Sequence, residues 1–463
     1  MNEVRESTRP SPTSQGNWIA TWGTAQQLAQ PAEPGAGPWM PDPPDDAPPA
    51  VTPAADAPAP TADTPAAAPA QDPTPPPAEP LAEPPVQPPA ETSAEPLAEP
   101  PAGPTKVSAQ TVRMVARATV GGTAVRVALS NSFGHAPVRV EAAQIARHDS
   151  GAAIRADSSR ALTFGGRAAV VLPTGAQIYS DPLEYDVPAQ TDLVVSLYIP
   201  DEKVTPTTHE LGLRTAWLAP GDQTATQDLW DATGFQSYAW LTGIDVLAPP
   251  TAATIVALGD SITDGAGTTP GADTPWPSSL ARRLAARHDL PPRAVINMGI
   301  AGNRVLRETD GFGASALARF DRDVLARPGV RWVVLAEGGN DICFSFMGMP
   351  ESERATAEDI IAGYRMLIGR AHLHGLRIIG CTLTQFGGTF VFTAESERMR
   401  QDVNRWIRDS GEFDAVVDLD AATRDPAAPT NLRAEFDSGD GIHPNDAGNQ
   451  AIAEAFDLEL FQG

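Results

Sequence analysis

Four short blocks of this 463-residue chain carry side chains that could act together on a carbonyl carbon. The first is Gly259-Asp260-Ser261-Ile262-Thr263-Asp264-Gly265, directly after the apolar run Ala253–Leu258. A serine on a tight strand-to-helix turn stands at the end of a sheet among helix-start N–H groups, which suits a nucleophile. The same serine could equally be a helix cap. A phosphate loop is excluded, because no Gly-Lys-Ser/Thr follows. In the second block, Asn297-Met298-Gly299-Ile300-Ala301-Gly302-Asn303, the missing Cβ of Gly302 lets a backbone N–H approach an oxyanion; an ordinary turn glycine is the alternative. The third, Gly338-Gly339-Asn340-Asp341, offers the Asn340 amide as a side-chain donor to the same point, or a plain turn asparagine. The fourth is Asp440-Gly441-Ile442-His443-Pro444. A carboxylate three residues before a histidine can hold one imidazole nitrogen and leave the other as general base, or the pair can be a capping motif before Pro444.

These blocks need a frame that brings them to one edge. Five short β-rich runs, Ala253–Leu258, Ala294–Asn297, Trp332–Ala336, Leu376–Thr382 and Ala415–Leu419, alternate with helical patterns. The helices are expected at Pro277–Arg287, Ala314–Leu325, Ala357–His374, Ala394–Asp409 and Pro444–Phe456. This alternation predicts an α/β domain over 249–463, a parallel sheet between two helical layers. Ligands of such sheets sit beyond the C-terminal strand ends, which is where the blocks fall.

Upstream the grammar differs. Between Val107 and about Pro200, alternation with period two predicts strands at Thr111–Val120, Thr123–Ser130, Val138–Ala146, Ala168–Leu172 and Asp192–Ile199. Gly121-Gly122 reads as the turn of a hairpin. Short strands without helices predict a β-sandwich domain over 106–248. The apolar, aromatic segment Asn17–Ala25 reads as a further strand of that domain, within 17–30. Between them, Pro31–Pro104 holds 26 of the 47 prolines, and PLAEPP occurs twice, at 80–85 and 96–101. From Pro10 through Thr105 there is no Lys or Arg and there are 12 acidic residues, about half the net charge of −25. Such a composition cannot bury enough apolar surface to offset ordering, so a disordered Pro/Ala-rich insertion is expected over 31–105.

Composition also excludes partners. With 58 acidic against 33 basic side chains the chain lacks the cationic footprint for nucleic acid. Two cysteines cannot build a disulfide framework or a four-thiolate zinc site. No apolar run is long enough to span a membrane. No signal peptide is visible at the start, so the sequence leaves the compartment open. Neither HExxH nor paired CxxC occurs, and no cofactor or metal is called for.

Taken together, the four blocks resemble the SGNH (GDSL) hydrolase family, whose motif order is GDS, a glycine block, GxND and DxxH. The resemblance runs from Ala253 to about Phe456 and implies a flavodoxin-like α/β/α hydrolase domain. Carried over residue by residue, it implies Ser261 as nucleophile, His443 as general base and Asp440 as its orienting carboxylate. It further implies an oxyanion hole of the Ser261 N–H, the Gly302 N–H and the Asn340 side chain. The upstream region is similar to a two-domain branch of the family, in which a WxxTW-like segment and a sandwich with a stretch like Leu129-Ser130-Asn131-Ser132-Phe133-Gly134 precede the hydrolase; the Pro-rich tract departs from that pattern. The expected activity is esterase, on short acyl groups of a sugar or small alcohol. Acyl transfer would use the same residues. A carbohydrate- or wall-binding protein with a degenerate hydrolase domain is the alternative, and the intact blocks weigh against it.

Asp260, Trp276 and Arg304 are candidates to line the substrate pocket, with packing an equal reading for the last two. His372 and His374 read as last-turn surface residues. His209, within TPTTHELG, is a weaker candidate for the cleft. Cys343 and Cys381 are expected as free thiols.

Overall fold

Side chains along Ala253–Gly259 alternate between two apolar cores, and that alternation builds the C-terminal half. Val256 and Leu258 join Ile296, Met298, Val333 and Leu335 under Phe320, Ile360, Leu367 and Val403 on one face. Ile255 and Ala257 join Val295, Trp332 and Val334 under Trp276, Leu280, Ile452 and Phe456 on the other. Strands buried on both faces read as continuous apolar runs, as parallel sheets require. In the computed structural model the sheet order is Arg293–Gly299, Ala253–Gly259, Val330–Ala336, Arg377–Cys381, Ala415–Val417, all pairs parallel. The first strand in sequence therefore lies between the second and third, and the order in which strands are added reverses beside it. That crevice is where an open α/β sheet binds its ligand. The structure describes residues 16–28, 103–104, 106–200, 203–347 and 349–462. Apart from 103–104, the expected insertion at 31–105 lies outside them.

The helices follow their sequence signals. Ala357–Leu373 starts with a capping box made by Thr356 and Asp359, and Ala394–Asp409 with one made by Thr393 and Ser396. Ala316–Phe320 is α-helical and continues as a π-helical turn, Asp321–Leu325.

Two antiparallel sheets form most of the rest. One runs Asn17–Gly23, Leu241–Ala248, Gly122–Ser130, Leu183–Val187; the other runs Thr233–Phe235, Ala216–Pro220, Gln110–Ala118, Thr191–Ile199, Ala142–Arg147, Arg160–Ala161. Val125, Val127 and Ile244 from the first share a core with Val112, Met114, Leu193 and Leu197 from the second. The hairpin expected at Gly121-Gly122 does not form. Gln110–Ala118 pairs with Thr191–Ile199, and Gly122–Ser130 with Leu241–Ala248, so the two glycines pass the chain from one sheet to the other. Their role is close approach rather than turn geometry: a Cβ on Gly121 would lie 2.3 Å from the Val187 carbonyl oxygen.

Asn17–Gly23 joins the halves. Its backbone pairs with Leu241–Ala248 from Asn17↔Ala248 to Gly23↔Gly243. Ile19 enters the core between the antiparallel sheets while Ala20 enters the α/β core. The Ala20 N–H donates to Pro328 O at 3.0 Å, and Thr254 Oγ1 donates to Ala20 O at 3.0 Å. Gly329, at φ +73°, is required here, since a Cβ would stand 2.5 Å from Ile19 Cγ2.

Candidate active site

The first three blocks leave their strands at the same edge, and the fourth reaches it from the loop before the helix Asp446–Glu454. Gly259 ends the strand Ala253–Gly259, in register with Gly299 on one side and Ala336 on the other. Asp260 caps the one-turn helix Ser261–Asp264, its side chain accepting the Ile262 N–H at 3.1 Å. Gly265, at φ +114°, ends that helix. Ser261 is thereby fixed at the first helical position and is 5 % exposed. Its Oγ lies 2.8 Å from His443 Nε2. On the other side of the ring, His443 Nδ1 lies 2.5 Å from Asp440 Oδ2. The other Asp440 oxygen accepts the N–H groups of Ile442 and His443 at 2.9 and 2.8 Å. Burial raises the Asp440 carboxyl, but the imidazole and these donors outweigh it and hold it down at about 2.

The Asp440–His443 loop is itself held. Asp437 accepts the N–H groups of Gly439 and Gly441, and Asn445 caps the following helix, Asp446–Glu454. Gly441, at φ +75°, supplies the left-handed turn that returns the chain to His443.

Gly302, at φ +74°, could not carry a side chain: a Cβ would lie 2.2 Å from the Phe312 ring. Asn340 Nδ2 donates to Asn303 O at 3.0 Å, which places the third block against the second. Asp341 strengthens that join by accepting the N–H groups of Val305 and Leu306 at 2.7 and 3.1 Å. A pocket beside Ser261 is lined by Asp260, Ile262, Asn340, Cys343, Leu383, Phe386 and Ile442, among others.

Two of the candidate pocket residues lie elsewhere. Trp276 is fully buried in the helix layer, stacked on Phe456 at 5.2 Å, so its apolar surface serves packing. Arg304 is buried under the loop that follows the glycine block, donating to Glu308 O at 2.9 Å and lying over Phe344. Asp260 does line the pocket. Burial, with Asp341 nearby, lifts its carboxyl to about 6 despite the Ile262 N–H and His443. Burial likewise lifts Asp341 to about 6, against its two N–H donors. His372 is on the surface with Asp414 at 3.0 Å. Cys343 and Cys381 are free thiols.

Three further residues hold this edge, and of them the sequence offered only His209, as a weaker candidate for the cleft. Arg319 is fully buried and its guanidinium donates to Gly259 O at 2.9 Å, Met298 O at 2.6 Å and Asn303 Oδ1 at 2.9 Å, with Glu337 at 3.2 Å. One side chain thus ties the ends of the first two strands to the residue that follows the third. The other two are Asp264 and His209, joined across a sequence gap of 55 residues at 3.0 Å. No motif marks these positions, because each acts on partners distant in the chain. A larger cavity borders Asp264 and His209, with Trp22, Arg117, Arg214 and Asp273 in its wall; Ser261 does not line it.

The chain is similar to solved structures over less than half of its length. An acetylxylan esterase from Geobacillus stearothermophilus is 23% identical, with 46% of this chain and 94% of that one covered and a TM-score of 0.36. An alpha/beta hydrolase enzyme from the metagenome of Lake Arreo, Spain, is 25% identical, with 45% and 94% covered and a TM-score of 0.34. No curated protein matches the chain. Among the described residues no helix is long and apolar enough to cross a membrane. The model of the GDSL-like Lipase/Acylhydrolase family matches residues 257–451, the stretch that holds all four blocks. Residues 257–451 are thus a domain of the GDSL-like lipase/acylhydrolase family, and the protein that carries it is a carboxylic ester hydrolase.

Proposed function

We propose that this protein is a serine esterase that cleaves short acyl esters of a sugar or small alcohol through an acyl-enzyme. The observation that carries the reading is the unbroken hydrogen-bond chain from Ser261 Oγ through His443 to Asp440. Ser261 Oγ attacks the ester carbonyl while His443 Nε2 takes its proton. Asp440, ionised over the working pH range, fixes the tautomer and stabilises the imidazolium. The tetrahedral oxyanion is held by the N–H groups of Ser261 and Gly302 and the amide of Asn340. His443 then protonates the leaving alcohol, and a water deacylates Ser261 by the same route in reverse. The two antiparallel sheets act in this reading as one β-sandwich domain packed on the hydrolase, with 31–105 an insertion within it.

Leu383, Phe386 and Leu419, all buried, give the pocket an apolar wall that suits an acyl group. The test is Ser261→Ala against p-nitrophenyl acetate, which should lose turnover; a mutant near wild type overturns the assignment. A p-nitrophenyl ester series from about two to sixteen carbons checks the chain length. A maximum beyond about ten carbons contradicts it.

A further inference from the structure

Asp264 ends the helix that begins with Ser261, and both its carboxylate oxygens are engaged. Oδ2 accepts the Ala301 N–H at 2.9 Å, one residue before Gly302. Oδ1 accepts from His209 Nε2 at 3.0 Å. His209 belongs to the other half of the molecule, at the end of the short strand Thr207–His209. Its Nδ1 lies 2.7 Å from Ala25 O, and its Nε2 also lies 3.2 Å from Leu211 O. Both ring nitrogens face only acceptors, so the ring carries both protons. Burial pulls its pKa down, but Asp264 and the two carbonyls outweigh burial and hold it above the ordinary histidine value. There is no slack at the other end: a Cβ on Gly299 would lie 2.3 Å from Asp264 N.

We propose that His209 is a positioning residue for ester hydrolysis, locking through Asp264 the turn that carries Gly302 against the helix that carries Ser261. The inference rests on the esterase reading above. Without His209, the buried Asp264 carboxyl has lost the donor that holds its Oδ1 and is free to rotate, which weakens its hold on the Ala301 N–H. The Gly302 N–H then drifts from the place where the oxyanion forms, and small displacements of that kind are costly in rate. Substrate binding in the ground state needs no such precision, so the loss falls on kcat.

The experiment compares wild type, His209→Phe and His209→Gln in the full chain, with active sites titrated by a fluorophosphonate. His209→Phe keeps the ring's bulk and removes both donors. It should lower kcat on p-nitrophenyl acetate roughly tenfold or more with KM within about twofold. The affinity of a boronic acid, which forms a tetrahedral adduct on the serine, should fall by a similar factor. His209→Gln, with an amide N–H in reach of Asp264, should recover part of both losses. A structural role alone would lower the melting temperature and the titratable fraction and leave kcat per titrated site unchanged; that result overturns the proposal. Should His209→Phe fail to fold, Asp264→Asn is read by the same two quantities with the same expected losses. Wild-type turnover that survives Ser261→Ala overturns the esterase assignment and this inference with it. Turnover that depends on Ser261 but is indifferent to His209 overturns this inference alone.

Discussion

Asn340 commits one amide hydrogen to the Asn303 carbonyl and lines the pocket beside Ser261. Replacing it with alanine should lower kcat by about 10²–10³, equivalent to about 3–4 kcal/mol, with little change in KM. Steady-state kinetics on a soluble acetate ester would check this. Asp260 yields a prediction about pH. Its folded-state value of about 6 lies above the unfolded 3.8, so between those values the native state holds a proton that the unfolded chain has released. Stability therefore falls as pH rises through this window. The full effect of one such site is roughly 3 kcal/mol at about 1.4 kcal/mol per pH unit. Asn caps a helix as well as Asp does, so Asp260→Asn should gain in melting temperature relative to wild type between about pH 4 and 7.5. A difference that stays flat with pH would contradict it. At this scale the sequence was legible where the chemistry is contiguous, as in Asp440–His443, and silent where a partner comes from afar. Trp276 shows another limit: its place just after the serine block cannot tell whether an indole faces a cleft or a core.

Strand ends are held by a single cation. Arg319 reaches the carbonyls that close the first two strands and faces Glu337 and Asp323, all with fully buried side chains. Removing one partner of a buried ionic group leaves the others uncompensated, at about 3–5 kcal/mol. Arg319→Met should lower stability by that order in urea unfolding, and ester turnover should fall with it because the serine and glycine turns lose their common tie. Five parallel strands and their helices were readable because strands buried on both faces become apolar runs, set apart by helical periodicity. The Gly121-Gly122 hairpin was misread for an equally physical reason. A glycine pair signals freedom from side-chain clashes, and local sequence does not say whether a turn or a neighbouring backbone demands it.

For the molecule as a whole, the segment at residues 17–28 is as integral as any strand in the interior. It supplies Ile19 to one core and Ala20 to the other, and the Ala25 carbonyl to His209. Deleting residues 1–28 should abolish cooperative unfolding and ester turnover. Excising 31–104 with a short Gly/Ser bridge should preserve both, since loop-closure cost changes only slowly with length. Circular dichroism melts and p-nitrophenyl acetate assays distinguish the two constructions, and the reverse pattern would overturn this division of the chain. That Asn17–Ala25 reads as a strand was evident from its apolar, aromatic make-up. That it serves two cores was not, because a strand's partners are a property of the fold.

The pairing of Asn17 with Ala248 sets a delay on biosynthesis. An amino-terminal strand emerging from the ribosome meets its neighbour only after some 230 further residues, and Met298, which packs on Gly23, later still. At about 5–20 residues per second, it stays without its ladder partner for roughly 10–50 s. Through that interval an apolar, unpaired edge is open to association with other nascent chains. The final tertiary structure can close only once the carboxy-terminal half has been made, so an arrested chain lacking residues beyond about 300 should be recognised by chaperones rather than accumulate in a folded form.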